Sequence, residues 1–382
     1  MKILMIHTGG TISCAYENGV LSPRADIAPT VAKMFKNYRD VKTVHRHLCS
    51  VLSEKTDGKI LNKIVSAVRK AVFSKKYDGV AVTVGSDALA YTSAAISYAI
   101  GLSDTPCTVV CSDKPLSSPG ASGVANLKAA VAVIRSKKAI GALSVYPSHD
   151  GTVAVYRASR IMQQPAYFST PVPVGELYGT VKDGEFSLSK TYRELPDAFK
   201  FEKPRFSTIS PVAFLSVYPG MLYPTLPRKI KAVILGTYHS GTMDTDSAET
   251  VKFAKRCKKR GINVYVSGIS DSADYESMTL YGELGFIRLP ELSSPYAMLI
   301  KLWALNSQSK KFTDERLFSS LGGDITKESP KLTAEDNTVQ KKVCDTSKPA
   351  DSSAKTKRAT ESSTDKESPE NKTVSSSDTE AD

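Results

Sequence analysis

No stretch of this 382-residue chain approaches the roughly 20 consecutive apolar residues that a membrane-spanning helix requires. Its start also lacks a charged segment followed by an apolar run and a small-residue cleavage site, so the expectation is a cytoplasmic protein with no membrane partner. Cysteines are few. Cys14, Cys49, Cys107, Cys111, Cys257 and Cys344 show neither a Cys-x-x-Cys motif nor paired zinc-ligand spacing, which points to free thiols in a reducing compartment. The five histidines, His7, His45, His47, His149 and His239, are dispersed, and the alternation of His45 with His47 puts that pair on one face of a strand; no metal and no cofactor is expected. Also missing is the Gly-x-Gly-x-x-Gly that a dinucleotide site places after its first strand, which sets a nucleotide-binding dehydrogenase aside.

Acidic residues are outnumbered, giving a formal net charge of +12, but the balance is uneven. Residues 321–382 hold 10 Lys/Arg and 13 Asp/Glu, leaving 41 against 26 in residues 1–320. Such an excess can favour anionic partners. The basic groups Arg69-Lys70, Lys75-Lys76, Lys137-Lys138, Lys255-Arg256 and Lys258-Lys259-Arg260 are nevertheless scattered and have no interleaved aromatics. They read as solvated surface, and no nucleic-acid partner is expected.

What is present is the composition of a globular chain, 41% hydrophobic and 24% charged, long enough for two domains. Short β-rich runs alternate with helical patterns. Behind Thr56-Asp57, an N-cap, Ile60, Ile64, Val65, Val68, Ala71 and Val72 recur at helical spacing. Then come a strand over Gly79–Val84, a helix over 88–100, a strand over Cys107–Cys111, a helix over 123–135 and a strand over 140–145. A second set holds a strand at Ala232–Leu235, a helix over 248–260, a strand over Asn263–Ser267 and a helix over 295–305. This order predicts an α/β fold with a doubly wound, mostly parallel sheet and a second, smaller α/β domain. The expected limits are 1–190 for the first domain, 191–210 for a linker, 211–320 for the second domain, and 321–382 for a disordered Ser/Thr/Lys/Glu-rich tail too poor in large apolar side chains to offset the entropy of ordering.

Two strand ends carry chemistry. The first strand runs into Thr8-Gly9-Gly10-Thr11-Ile12, and the central strand over Gly79–Val84 into Gly85-Ser86-Asp87-Ala88. In a parallel sheet, ligands lie beyond the carboxyl ends of strands, so Thr8, Thr11, Ser86 and Asp87 project where a substrate would sit. Alone, the first motif is as well explained as a tight turn and Gly-Ser-Asp as a helix N-cap. Together they put two hydroxyl nucleophile candidates and one carboxylate in a single crevice.

On these residues the chain resembles the bacterial-type L-asparaginase family, with its related glutaminases and amidotransferase subunits. The family carries an N-terminal Thr-Gly-Gly-Thr-Ile and a second motif that is usually His-Gly-Thr-Asp-Thr. Ser53-Glu54 resembles the family's substrate-binding Ser-Asp/Glu/Gln pair, residues 113–127 its following loop and helix, and Leu235–Thr242 part of its smaller domain. The resemblance implies an asparaginase-like two-domain fold that hydrolyses L-asparagine or a related small amide to L-aspartate and ammonia. It implies Thr11, Ser86 and Asp87 as catalytic residues, Ser53, Glu54, Gly10 and Gly85 around the substrate, Tyr16 as a lid candidate, and a homodimer or homotetramer. The chain also departs from the pattern. Val84 replaces the motif histidine, Ala88 a threonine, Thr242 an asparagine, and Gln163 stands at the place of the family's lysine, with no lysine between Lys138 and Lys182. Glutamine neither accepts nor donates a proton at neutral pH, and Arg160 nearby is too basic for a general base. The alternative is therefore a paralogue that binds a small amino acid or amide without efficient turnover.

Overall fold

The structure is a computed structural model that describes residues 1–23, 26–148, 150–166, 169–201, 203–268, 275–290, 292–308 and 314–326. Met1–Pro330 form one compact unit; a second unit, Lys331–Asp382, lies outside the described residues. No described helix is long and apolar enough to cross a membrane.

The chain opens with β1 (Lys2–Gly9), buried beyond its first residue, as expected of a parallel strand covered on both faces. A hairpin of β2 (Cys14–Glu17) and β3 (Val20–Pro23) precedes the long strand β4 (Lys42–Val51). Then follow β5 (Gly79–Thr83), β6 (Cys107–Val110), β7 (Ala142–Pro147) and β8 (Val153–Arg157). A two-stranded ribbon pairs β9 (Ile161–Met162) with β10 (Val172–Pro173), and β11 (Gly179–Lys182) pairs with β12 (Glu185–Leu188). The main sheet has the order β12-β11-β8-β7-β6-β5-β1-β4. Its strands β4, β1, β5, β6 and β7 are parallel, while β8, β11 and β12 add antiparallel pairings at one edge that the sequence reading does not anticipate. A second, all-parallel sheet comprises β13 (Val212–Ser216), β14 (Ala232–Gly236), β15 (Asn263–Ser267) and β16 (Phe286–Arg288).

Side chains alternate across β1, Leu4 and Ile6 facing one core and Ile3 and Met5 the other. The first core is roofed by the helices Gly58–Val72, capped by Asp57 through its 2.9 Å bond from the Ile60 N–H, and Leu89–Ile100. The helix Ser122–Arg135 covers the other face. The helix Pro295–Ser307 packs on Leu89–Ile100 and also on β13 and β14, so one apolar core runs from the main sheet into the second. Because β4 lies on one side of β1 and β5 on the other, the winding reverses there, and the crevice that this reversal leaves opens at the carboxyl ends of β1 and β5.

Two boundaries differ from expectation. The segment 191–210 holds no described strand or helix, yet it packs tightly: Tyr192, Phe201 and Phe206 are buried, and Glu194 pairs with the buried guanidinium groups of Arg157 and Arg160. Residues 321–326 are not tail. The ammonium group of Lys301 is fully buried and must find acceptors; it donates to the carbonyls of Leu317 (3.0 Å) and Ser319 (2.6 Å) and to Asp324 Oδ2 (2.7 Å). Ile325 then bridges to Ser293. The rest of the expected tail, 327–382, and Cys344 lie outside the described residues.

Candidate active site

The two glycine motifs meet. Gly10 sits at φ +76°, left-handed backbone that glycine favours, and its Cα faces Gly85 so closely that a side chain there would strike the Gly85 backbone. A Cβ on Gly85 would in turn collide with Ser53 Oγ. Gly10, Gly85 and Ser53 are thus stacked at the carboxyl ends of β1, β5 and β4, and the Gly10 N–H is held by the Val51 carbonyl at 2.8 Å. Thr11 and Ser86, each one residue past its glycine, open short 3₁₀ turns, Thr11–Ser13 and Ser86–Ala88, and both are half-buried. Asp87 is exposed, and the Ser86 hydroxyl points to its Oδ1 at 3.4 Å, a long contact.

Other expected residues divide into those at the crevice and those spent on structure. Glu54 is exposed next to Ser53, and its charge adds to burial in raising the Cys14 thiol. Tyr16 stands on the β2–β3 hairpin, 63% exposed. Thr8, expected to project, is instead buried and donates to the Thr83 carbonyl at 2.6 Å, tying β1 to β5. Asp113 caps the next helix: burial alone would raise its carboxyl, but bonds from the Ser122 hydroxyl (2.7 Å) and N–H (2.8 Å) hold it below the usual range. Burial first, then the charges of Asp113 and Asp87, push the Cys111 thiol up to about 12. Beyond β6 and β7 this end of the sheet opens into a hollow of about 600 Å³ bordered by Asp113, Ser122, Tyr146 and Thr170.

Gln163 follows β9, half-buried, and no hydrogen bond joins it to Ser86 or Asp87 among the described residues; its neighbour Gln164 reaches the Tyr146 hydroxyl at 3.4 Å. Arg160 cannot supply the missing charge. Its guanidinium is 2.9 Å from Glu194 and donates to the Gly323 carbonyl at 2.6 Å, inside the protein. One residue that sequence reasoning passed over is His7, fully buried before the first motif. Its Nε2 lies 3.1 Å from His45 Nδ1 with the rings stacked, and burial together with His45 pushes it down to about 4. Its only signal in the sequence is a polar residue inside an otherwise apolar strand. His45 and His47 do sit on one strand, half-buried and exposed respectively, and no metal-ligand group occurs among the described residues.

Residues 2–171 match the family model described as Asparaginase, N-terminal. Over this first part the chain is similar to the asparaginase family. Relatives include a glutamyl-tRNA(Gln) amidotransferase subunit of Sulfolobus acidocaldarius, 25% identical over 346 residues that cover 85% of this chain and 75% of that protein. The same amidotransferase subunit from Thermoplasma acidophilum is 25% identical over 325 residues, 77% of this chain and 76% of that one. Among solved structures, the thermostable L-asparaginase from Thermococcus kodakarensis superposes with a TM-score of 0.67 at 20% identity, covering 86% of this chain and all of that one. L-asparaginase I from Vibrio cholerae gives 0.65 at 21% identity over 85% and 99%. The asparaginase-like chain therefore shares its fold with these L-asparaginases over nearly their whole length.

Proposed function

We propose that the chain is an amidohydrolase that converts L-asparagine, or a related small amide, to L-aspartate and ammonia. The observation that carries this reading is the contact of Gly10 with Gly85 and of Gly85 with Ser53, which sets Thr11, Ser86 and the substrate-holding pair around one crevice. Thr11 Oγ attacks the amide carbon; the C–O bond forms, the C–N bond breaks, and the nitrogen leaves as ammonia with the proton that the Thr11 hydroxyl gives up. Ser86 and Asp87 position and polarise the water that hydrolyses the resulting ester, Ser53 and Glu54 hold the charged ends of the substrate, and the amides of the glycine turns steady the oxyanion. Tyr16 closes over the bound substrate. A cytoplasmic homodimer or homotetramer goes with this reading.

One observation favours a second reading. With Gln163 unbonded to Ser86 or Asp87 and Arg160 committed to Glu194, no lysine or arginine is bonded to Ser86 or Asp87 among the described residues, which suits a subunit or binding protein with weak turnover of its own. Ammonia release by the purified chain over a panel of asparagine, glutamine and small amides separates the two. Turnover of at least one amide is expected. If no amide is turned over while asparagine or aspartate still raises the melting temperature, the binding reading replaces it.

A further inference from the structure

A second surface, remote from the glycine motifs, is built from two segments that the sequence keeps apart. The loop 222–231 and the helix end and turn 251–263 contain nine Lys/Arg and no Asp/Glu. The fold joins them: Arg260 donates to the carbonyls of Leu226 (2.7 Å) and Pro227 (2.8 Å), and Arg256 to that of Tyr223 at 3.4 Å. All nine cations are exposed, and among the described residues the only carboxylate paired with one of them is Glu249, 2.9 Å from Lys252. They gather at the amino ends of β14 and β15, away from the crevice between β1 and β5.

Cations in the last turn of a helix are ordinarily explained by its dipole. That accounts for Arg256, Lys258 and Lys259 at the end of Ala248–Lys259, but not for Arg228, Lys229 and Lys231 on another segment, where added like charge only repels. Between the two segments lies a recess of about 200 Å³ with Leu226, Phe253 and Ile262 in its lining and Arg256, Lys259 and Arg260 around it. Leu222, Pro224 and Pro227 are exposed here while Leu226, Phe253 and Ile262 are recessed among the cations, unlike the continuous apolar face of a helix that inserts into lipid. We infer that this face docks RNA, the exposed cations neutralising backbone phosphates and the recess receiving an unpaired base of a loop. Duplex DNA keeps its bases stacked and offers the recess nothing, whereas RNA loops splay theirs outward.

The test is fluorescence anisotropy of a labelled RNA hairpin with the full chain, titrated with salt. The wild type is expected to bind with a log–log salt slope. The triple variant Lys255→Glu, Lys258→Glu, Lys259→Glu is expected to bind about 10-fold more weakly or worse, its slope shallower by about 2, since each lost phosphate contact on a single strand removes about 0.7. The double variant Lys137→Glu, Lys138→Glu, on another surface, is expected to match the wild type. Should the triple variant fail to fold, Lys258→Gln with Lys259→Gln carries the test, with a slope change of about 1. No RNA binding at low salt, equal losses in the patch and control variants, or tighter binding to duplex DNA or phosphatidylserine vesicles than to the hairpin would overturn the proposal.

Discussion

Gly10 is where a single atom matters most. Alanine there would force a left-handed backbone to carry a side chain and drive it into Gly85, so Gly10→Ala is expected to lower stability by about 1–3 kcal/mol and to abolish amide turnover. Urea unfolding and ammonia release check this, and a variant that keeps both would mean that the two turns are not in contact. Gln163→Lys reads the opposite way. If an amine at this position reaches the Ser86–Asp87 pair, turnover should rise, by up to the roughly 10²–10⁴-fold that a placed acid–base group commonly contributes; an unchanged or lower rate in steady-state assay would indicate another proton route. His7 sets a pH signature. Its pKa falls from 6.5 to about 4 on folding, so the unfolded chain takes up the proton first. The associated stability, about 3 kcal/mol, is complete above pH 6.5 and is lost as the pH falls towards 4. Denaturation curves across that window should slope less in His7→Gln than in the wild type, and equal slopes would contradict the assignment.

At the scale of elements, periodicity and caps made the helices 58–72, 89–100, 122–135, 248–259 and 295–307 legible to within about two residues, because each has an apolar face and a clear start or stop. The antiparallel strands β8, β11 and β12 were not legible, since β11 and β12 are short edge strands whose pairing is fixed by contacts distant in sequence. Of the site, the glycine turns could be read from spacing, but Thr8 could not be told apart from Thr11: which hydroxyl faces inward depends on β5 beside it. The Lys301–Asp324 pair was invisible for a related reason, because Asp324 sits among polar residues that resemble the tail. A chain ending at Thr326 is expected to melt like the full chain. One ending at Gly323 should lose about 3–5 kcal/mol, as it strands a buried ammonium. Scanning calorimetry of the two truncations decides this, and equal melting points would show that Asp324 is dispensable.

For the whole molecule, the winding reversal between β4-β1 and β5 is the feature that turns a sequence motif into a site: it opens one crevice, and both glycine motifs border it. The second sheet shares its core with the first through Pro295–Ser307, so the body behaves as a single unit with the two glycine turns at one edge and, elsewhere, a basic face. Departures from the pattern the chain resembles include Val84 and Ala88, which flank the second glycine turn, besides Gln163 and Thr242, while the glycines Gly9, Gly10 and Gly85 are kept. The most direct test is ammonia release from asparagine by wild type and Thr11→Ala, measured beside their melting temperatures. Turnover by the wild type, its loss in Thr11→Ala and unchanged melting are expected; undiminished release by Thr11→Ala would contradict the assignment of Thr11 as nucleophile.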